Sequence, residues 1–249
     1  MNLSHVIAER EHKTIYRDGN ETIKLFDETY PISFILNEAL NLARAQETGL
    51  PVPALHKVTK VDNRWAIVTE YVEGKTITQL MDENPDRIQQ YMDLFVTIQT
   101  DIHKHRCPML TKHEDKMHTK ISSTTLSSTA RYDLHTRLNA LPKHNKVLHG
   151  DYTTSNVIIM PDGDYRVIDW AHATQGNASA DAARTYLRFY LAGQEDRAEI
   201  YLKTFCLHTD TALQYVQKWI PIVAASQSVK GKPEEREFLL RWVNVMDYE

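Results

Sequence analysis

Cysteine is scarce in this chain: Cys107 and Cys206 are the two among 249 residues. They are far apart and follow no ligand spacing, so they read as ordinary thiols suited to a reducing cytoplasm rather than as a disulfide or redox pair. Histidine occurs twelve times, but no His-x-x-x-His or Cys-x-x-Cys cluster appears, which argues against a zinc site. The formal net charge is −4, too mild to point to an electrostatic partner and contrary to a nucleic-acid binder held by counterion release. No apolar run approaches the roughly 20 residues of a membrane span. Met1 to His5 carries neither the charged nor the apolar region of a leader. Internal repeats are lacking, and the one biased tract is a short Ser/Thr cluster from Ser122 to Thr129. Hydrophobic content of 42% and charged content of 25% are those of an ordinary globular protein, with length for one large domain or two lobes around a cleft.

Against that plain background one stretch stands out. Leu148-His149-Gly150-Asp151 is followed by Asn156 five positions after the Asp, and by Val167-Ile168-Asp169-Trp170. Apolar runs at Val147-Leu148, Val157 to Met160 and Val167-Ile168 read as short buried strands. Pro161-Asp162-Gly163-Asp164 is turn chemistry, so Asn156 to Asp169 reads as a hairpin. Asp151, Asn156 and Asp169 therefore sit at the ends of strands fixed in a core. Phosphoryl transfer calls for such groups: a carboxylate to orient a hydroxyl and take its proton, and hard oxygen ligands for Mg²⁺ on nucleotide phosphates. Asp151 fits the base, and Asn156 and Asp169 fit the metal. A kinase catalytic loop has the same Asp-to-Asn spacing and a later metal Asp.

Upstream, residues 3 to 30 read as strands, with Lys13–Arg17 and Glu21–Phe26 joined at Asp18-Gly19-Asn20. On pattern alone Lys24 is an exposed strand lysine. Pro31 opens a helix to about Thr48, ended by Gly49 and by Pro51 and Pro53. It is apolar nearly all round, which predicts cover on several sides. Glu38 falls on its apolar row, costly there unless paired. Ala54–Val61 and Arg64–Glu70 make a second hairpin, and the chain leaves it through Tyr71, Val72, Glu73 and Gly74. Helical signals follow. Asn84-Pro85 precedes a helix carrying Ile88, Tyr91, Met92, Phe95, Ile98 and Ile102; Cys107 to about His118 reads as a long polar surface loop; Leu126 to Leu141 is helical. Ser179 is expected to cap a helix containing Tyr186 and Tyr190, with Asp181 in its first turn. Further helices are predicted over Asp196–Cys206, Asp210 to about Val229, and Pro233–Asp247.

The motifs His-Gly-Asp-x-x-x-x-Asn and Ile-Asp-Trp resemble those of the aminoglycoside phosphotransferase and choline kinase family rather than the His-Arg-Asp and Asp-Phe-Gly of protein kinases. The resemblance covers essentially the whole chain. It implies an α+β, two-lobed, protein-kinase-like fold: a strand-rich N-terminal nucleotide-binding lobe over 1–70, a hinge at 71–74, and a helical catalytic and substrate-binding lobe over 75–249. It implies a small-molecule kinase using ATP and Mg²⁺, with a small hydroxylated acceptor that is aminoglycoside-, amino-alcohol- or sugar-like. By the same resemblance Lys24 pairs the α- and β-phosphates, Glu38 pairs Lys24, and the backbone of Glu70 and Val72 meets the adenine edge. Asp181 is structural support. Tyr186, Tyr190, Trp219, Asp210, Glu234 and Glu235 are loose candidates for acceptor contacts.

One departure is plain. Kinases cover the phosphates with a glycine-rich loop, yet Ala8-Glu9-Arg10-Glu11-His12 has no glycine. Arg10 or Lys13 could offset its acidic residues. The departure supports a rival expectation, a kinase-fold protein that binds nucleotide or metabolite with little or no turnover. A protein-kinase reading ranks third, since no Ala-Pro-Glu follows Asp169.

Overall fold

The computed structural model describes residues 1–229 and 233–243. The chain opens with strands β1 (His5–Arg10), β2 (Lys13–Asp18) and β3 (Glu21–Phe26), then helix α1 (Ile32–Glu47). Strands β4 (Leu55–Val61), β5 (Arg64–Glu70) and β6 (Lys75–Thr76) lead to α2 (Ile77–Glu83), α3 (Ile88–Ile102), α4 (His113–Ser122) and α5 (Ser128–Ala140). Four short strands follow: β7 (Lys146–Leu148), β8 (Val157–Ile159), β9 (Tyr165–Val167) and β10 (Thr174–Gly176). The described chain closes with α6 (Ala178–Leu191), α7 (Glu195–Thr209), α8 (Leu213–Gln217), α9 (Ile220–Ser228) and α10 (Pro233–Val243). It forms two compact units, residues 1–85 with 154–172, and residues 86–153 with 173 onward.

The first unit is built on a five-stranded antiparallel sheet ordered β1-β2-β3-β5-β4. Side chains alternate across a strand. In β3, Ile23 and Leu25 turn to one face and pack with Ala66 and Val68. Phe26 turns to the other and packs with Ile35 and Ala39 of α1. Lys24, two residues before Phe26, therefore shares the face that α1 covers. Helix α1 buries Ile35, Glu38, Ala39, Leu42 and Ala45, a stripe at helical spacing. Its other side is open, contrary to the cover expected from its composition: Ile32, Phe34, Leu36 and Leu40 are each 44–47% exposed. One sheet face offers a single helix one stripe of contact, whatever the remaining residues are. The same unit holds the sheet β6-β8-β9, whose β8–β9 hairpin turns at residues 160–164 as the turn chemistry predicts.

The second unit is helical, with one small antiparallel pair, β7 and β10. Tyr152 is fully buried, stacked on Phe95 with ring centroids 4.3 Å apart, and its hydroxyl donates to the Phe95 carbonyl at 2.8 Å. Tyr201 donates to Gln99 Oε1 at 2.6 Å, joining α7 to α3. Helix α9 is buried along its whole length.

Several local expectations need correction. The stretch from Cys107 to His118 is not a surface loop. Cys107, Leu110, His113 and Met117 are buried, and α4 starts at His113; its polar residues line the outer side of a helix with a short apolar stripe. Helix α2 had no expectation, although Thr76 and Gln79 form a capping box at its start. The cap of α6 is Asn177, whose side chain accepts from the Ser179 amide, so Ser179 is capped rather than capping. The helix expected over Asp210–Val229 is two, because Pro221 has no N–H and sits in the first turn of α9. Of the last expected helix, residues 244–247 lie outside the described residues.

Gly74 binds the strand exit closely to β8. A Cβ there would meet the Ile159 carbonyl oxygen at 2.3 Å, and φ is +153°. Gly74→Ala is expected to cost about 2 kcal/mol or more, read as a lower urea midpoint at unchanged slope.

Candidate functional site

In the first unit the charged residues converge. Lys24, on the α1 side of β3, donates to Glu38 Oε1. Lys24 Nζ also lies 3.6 Å from Asp169 Oδ1, and Lys13 Nζ lies 3.5 Å from Asp169 Oδ2 and 4.0 Å from Glu38 Oε2. Two ammonium groups and two carboxylates alternate in one cluster, with Glu38 side chain 8% exposed and Lys24 16%. Burial acts to lower the Lys24 pKa, but the charges of Asp169 and Glu38 and the hydrogen bond to Glu38 outweigh it, so the net shift is upward. Lys24 stays charged.

Asp169 adopts a left-handed backbone, φ +66°, a conformation that a short polar residue tolerates and most residues avoid. Asn156 ends a single turn of 3₁₀ helix, Thr154–Asn156. Its carbonyl accepts from the Ile168 amide at 2.9 Å, tying it to the residue before Asp169. Thr154 is held by the Thr78 hydroxyl at 2.7 Å. Asn156 and Asp169 are both oxygen-bearing side chains suited to a hard cation. Among the described residues no group of three or more His, Cys, Asp or Glu side chains could hold a metal. A two-residue set is what Mg²⁺ accepts when phosphates and water complete its shell. Glu70 ends β5 and clasps Ala54: its amide donates to the Ala54 carbonyl at 2.9 Å and its Oε2 accepts from the Ala54 amide at 3.1 Å. Val72 is buried.

In the second unit the residues around Asp151 are held by one face of α6. Asp181, Arg184, Thr185 and Arg188 recur at helical spacing and touch consecutive loop residues. Asp181 Oδ1 accepts from the Gly150 amide at 2.8 Å and Oδ2 from the His149 amide at 3.2 Å. Thr185 donates to the Tyr152 carbonyl at 2.8 Å. Arg184 and Arg188 place guanidinium nitrogens 3.5 and 3.4 Å from Asp151 Oδ1. Behind the loop, His103 Nε2 meets Asp181 Oδ2 at 3.1 Å. Burial pushes the Asp181 carboxyl up, but the hydrogen bond and charge of His103, with smaller effects from His149 and the Gly150 amide, prevail and hold it at about 2.

The expected residues thus fall in two groups: Lys24, Glu38, Asn156 and Asp169 in one unit, Asp151 in the other. Sequence reasoning missed Arg184, Arg188 and His103. The first two were legible as a polar i, i+3, i+4, i+7 stripe from Asp181; His103 had no such signal. Tyr186 and Tyr190 face away from that stripe. Both donate to Glu199, at 2.7 and 3.0 Å, with Trp242 edge-on to each ring. Trp219 is 4% exposed. Asp210 is the left-handed residue ending α7, and Glu234 and Glu235 lie in the first turn of α10.

A family model described as "Phosphotransferase enzyme family" matches residues 22–215, and the chain belongs to that family. No curated protein matches it in sequence. Solved structures match it in fold. A thermostable variant of aminoglycoside phosphotransferase APH(4)-Ia, in ternary complex with AMP-PNP and hygromycin B, is 13% identical; the match covers 96% of this chain and 91% of that one with a TM-score of 0.70. Choline kinase LicA from Streptococcus pneumoniae is 16% identical over 97% and 93%, TM-score 0.65. An aminoglycoside-3′-phosphotransferase of type VIII is 15% identical over 91% and 94%, TM-score 0.67. The fold is therefore α+β and protein-kinase-like, as the motifs imply. No helix among the described residues is long and apolar enough to cross a membrane.

The depressed Asp181 carboxyl makes an acid-side prediction. Its folded value lies below the ordinary 3.8, so the stability it confers is present above about pH 4 and is lost as pH falls towards 2. Asp181→Asn should lower the denaturation midpoint at neutral pH. Between pH 4 and pH 2 its midpoint should fall less than that of the parent chain; an equal fall would assign the acid sensitivity elsewhere.

Proposed function

We propose that the protein is an ATP-dependent phosphotransferase that moves a γ-phosphoryl group to a hydroxyl of a small molecule. The observation that carries this reading is the alternating cluster of Lys13, Lys24, Glu38 and Asp169, which has the charges for a nucleotide phosphate site on a chain of the phosphotransferase family. Lys24 pairs the α- and β-phosphates as a point charge, oriented by Glu38. Lys13 supplies positive charge in a β1–β2 hairpin that lacks glycine. Asn156 and Asp169 hold Mg²⁺, which when bound neutralises phosphate charge. The backbone of Glu70 and Val72 meets the adenine edge. The lobes expected over 1–70 and 75–249, with a hinge at 71–74, belong to the same proposal.

Asp151 orients the acceptor hydroxyl and accepts its proton. Transfer through a loose transition state needs positioning and charge neutralisation more than covalent help. The α6 stripe supports this role: four of its side chains, Asp181, Arg184, Thr185 and Arg188, fix or contact the loop at His149, Gly150, Asp151 and Tyr152 before any acceptor arrives. Arg184 and Arg188 bear on the acceptor class. Two guanidinium groups already pair the Asp151 carboxylate, so it is not open to pair a substrate ammonium. Among the acceptors the family suggests, a neutral or anionic sugar-like molecule fits better than an aminoglycoside or choline.

The test is ADP release with ATP and Mg²⁺ across sugars, sugar phosphates, amino alcohols, nucleosides and aminoglycosides, with Asp169→Ala as control. Turnover should be highest with sugar-like acceptors and vanish in the control. Asp151→Asn should lower kcat by about 10²- to 10⁴-fold with little change in nucleotide affinity. Unchanged kcat in that variant would remove Asp151 as the base, and faster turnover of cationic acceptors would remove the sugar-like assignment. A chain that gains Mg²⁺-dependent stability from nucleotide yet releases no ADP with any acceptor would support the rival binding role that the glycine-free hairpin suggests.

A further inference from the structure

The second unit holds a cavity of about 430 Å³ lined in part by His103, within the range of small-molecule sites. Its charged lining has one sign. Lys104, Arg106 and Lys146 contribute to it with His144 among them, and no Asp or Glu side chain lines it among the described residues. The N-terminus of α6 opens onto it through Asn177, Ala178 and Ser179. That helix has 14 residues, and its positive dipole end favours an anion. Burial, then the charges of Lys146 and Arg106, hold His144 below its ordinary pKa, a sign of unneutralised positive potential there.

His103 is the independent observation. It lines the cavity and is 3% exposed. Its Nε2 is committed to Asp181, while its Nδ1 is buried with no hydrogen-bond partner among the described residues. A buried unpaired ring nitrogen costs free energy, and here the ring belongs to the wall of a basic cavity. The same imidazole touches the carboxylate that holds the His149 and Gly150 amides.

We propose that this cavity is a second binding site, for a small phosphate-bearing anion, and that His103 transmits its occupancy to Asp181 and the Asp151 loop. Lys104, already 3.3 Å from Asp101, Arg106 and Lys146 supply charge at the rim. The His103 ring forms part of the wall against which the ligand sits, and the α6 N-terminus orients the ligand. The site is independent of the proposed reaction and needs no turnover.

The probe is pyrophosphate, titrated at fixed ionic strength into the full chain while the imidazole signals of His144 and His103 and the Gly150 amide are followed by NMR. A saturable shift of all three is expected. It should persist in Lys24→Ala, which removes the phosphate-pairing lysine of the other unit. In Lys104→Gln/Lys146→Gln, whose substitutions leave the core intact, affinity should fall about tenfold or more. In His103→Gln, where the amide can still reach Asp181, His144 should shift while Gly150 no longer follows. A linear, non-saturating response, or one that survives the double lysine substitution, would overturn the site. Saturable His144 shifts with a still Gly150 in the parent chain would overturn the coupling.

Discussion

Glu38 lies on the buried stripe of α1, between Ile35 and Leu42, where an unpaired carboxylate would be untenable. Its pairing with Lys24 resolves that conflict and fixes much else. The helix must present that stripe to the α1-facing side of β3, and β3 must keep the register that brings Lys24, not Ile23 or Leu25, to that side. Asp169 and Lys13 then complete an array in which every charge has an opposite neighbour. Such an array does not make a fold stable by itself, because desolvation offsets much of the attraction. It is a specification: removing one member of a buried pair costs about 3–5 kcal/mol, softened here by the second lysine. Two ammonium groups held in place before a ligand arrives are also the preorganisation that a polyanionic ligand requires.

The second unit solves a related problem with one helix face. The loop from His149 to Tyr152 is too short to satisfy its own backbone. Asp181 accepts two of its amides and Thr185 donates to one of its carbonyls. Tyr152 anchors the loop's end in the core through Phe95. Asp151 is thereby presented by neighbours that cannot easily move. The arginines from the same stripe pair its carboxylate, a feature that the His-Gly-Asp motif alone does not carry.

How much of this was legible in the chain depends on the range of the signal. The hairpins, α1, the β8–β9 turn and the motif residues are local, and period-two or period-3.6 patterns with turn chemistry exposed them. The cost of burying Glu38 on an apolar row was readable as a demand for a partner; which partner came from resemblance, since strand alternation alone left Lys24 an exposed lysine. Helix α4 was missed because His113–Ser122 is mostly polar and carries its buried positions at His113, Met117 and Ile121 only. The open side of α1 was misread because composition cannot say how many neighbours a helix has. His103 could not be found at all: its meaning lies in contact with a residue 78 positions away.

The most direct measurement of the central claim is calorimetric titration of MgATP into the full chain and into Lys24→Met, a substitution close in length that deletes the charge. The account predicts saturable, Mg²⁺-dependent binding to the parent chain and an affinity lower by about tenfold or more in the variant, as expected for loss of a charge-assisted phosphate contact. Equal affinity in the two chains, or no binding to the parent, would contradict the assignment of the Lys24, Glu38 and Asp169 cluster to a nucleotide.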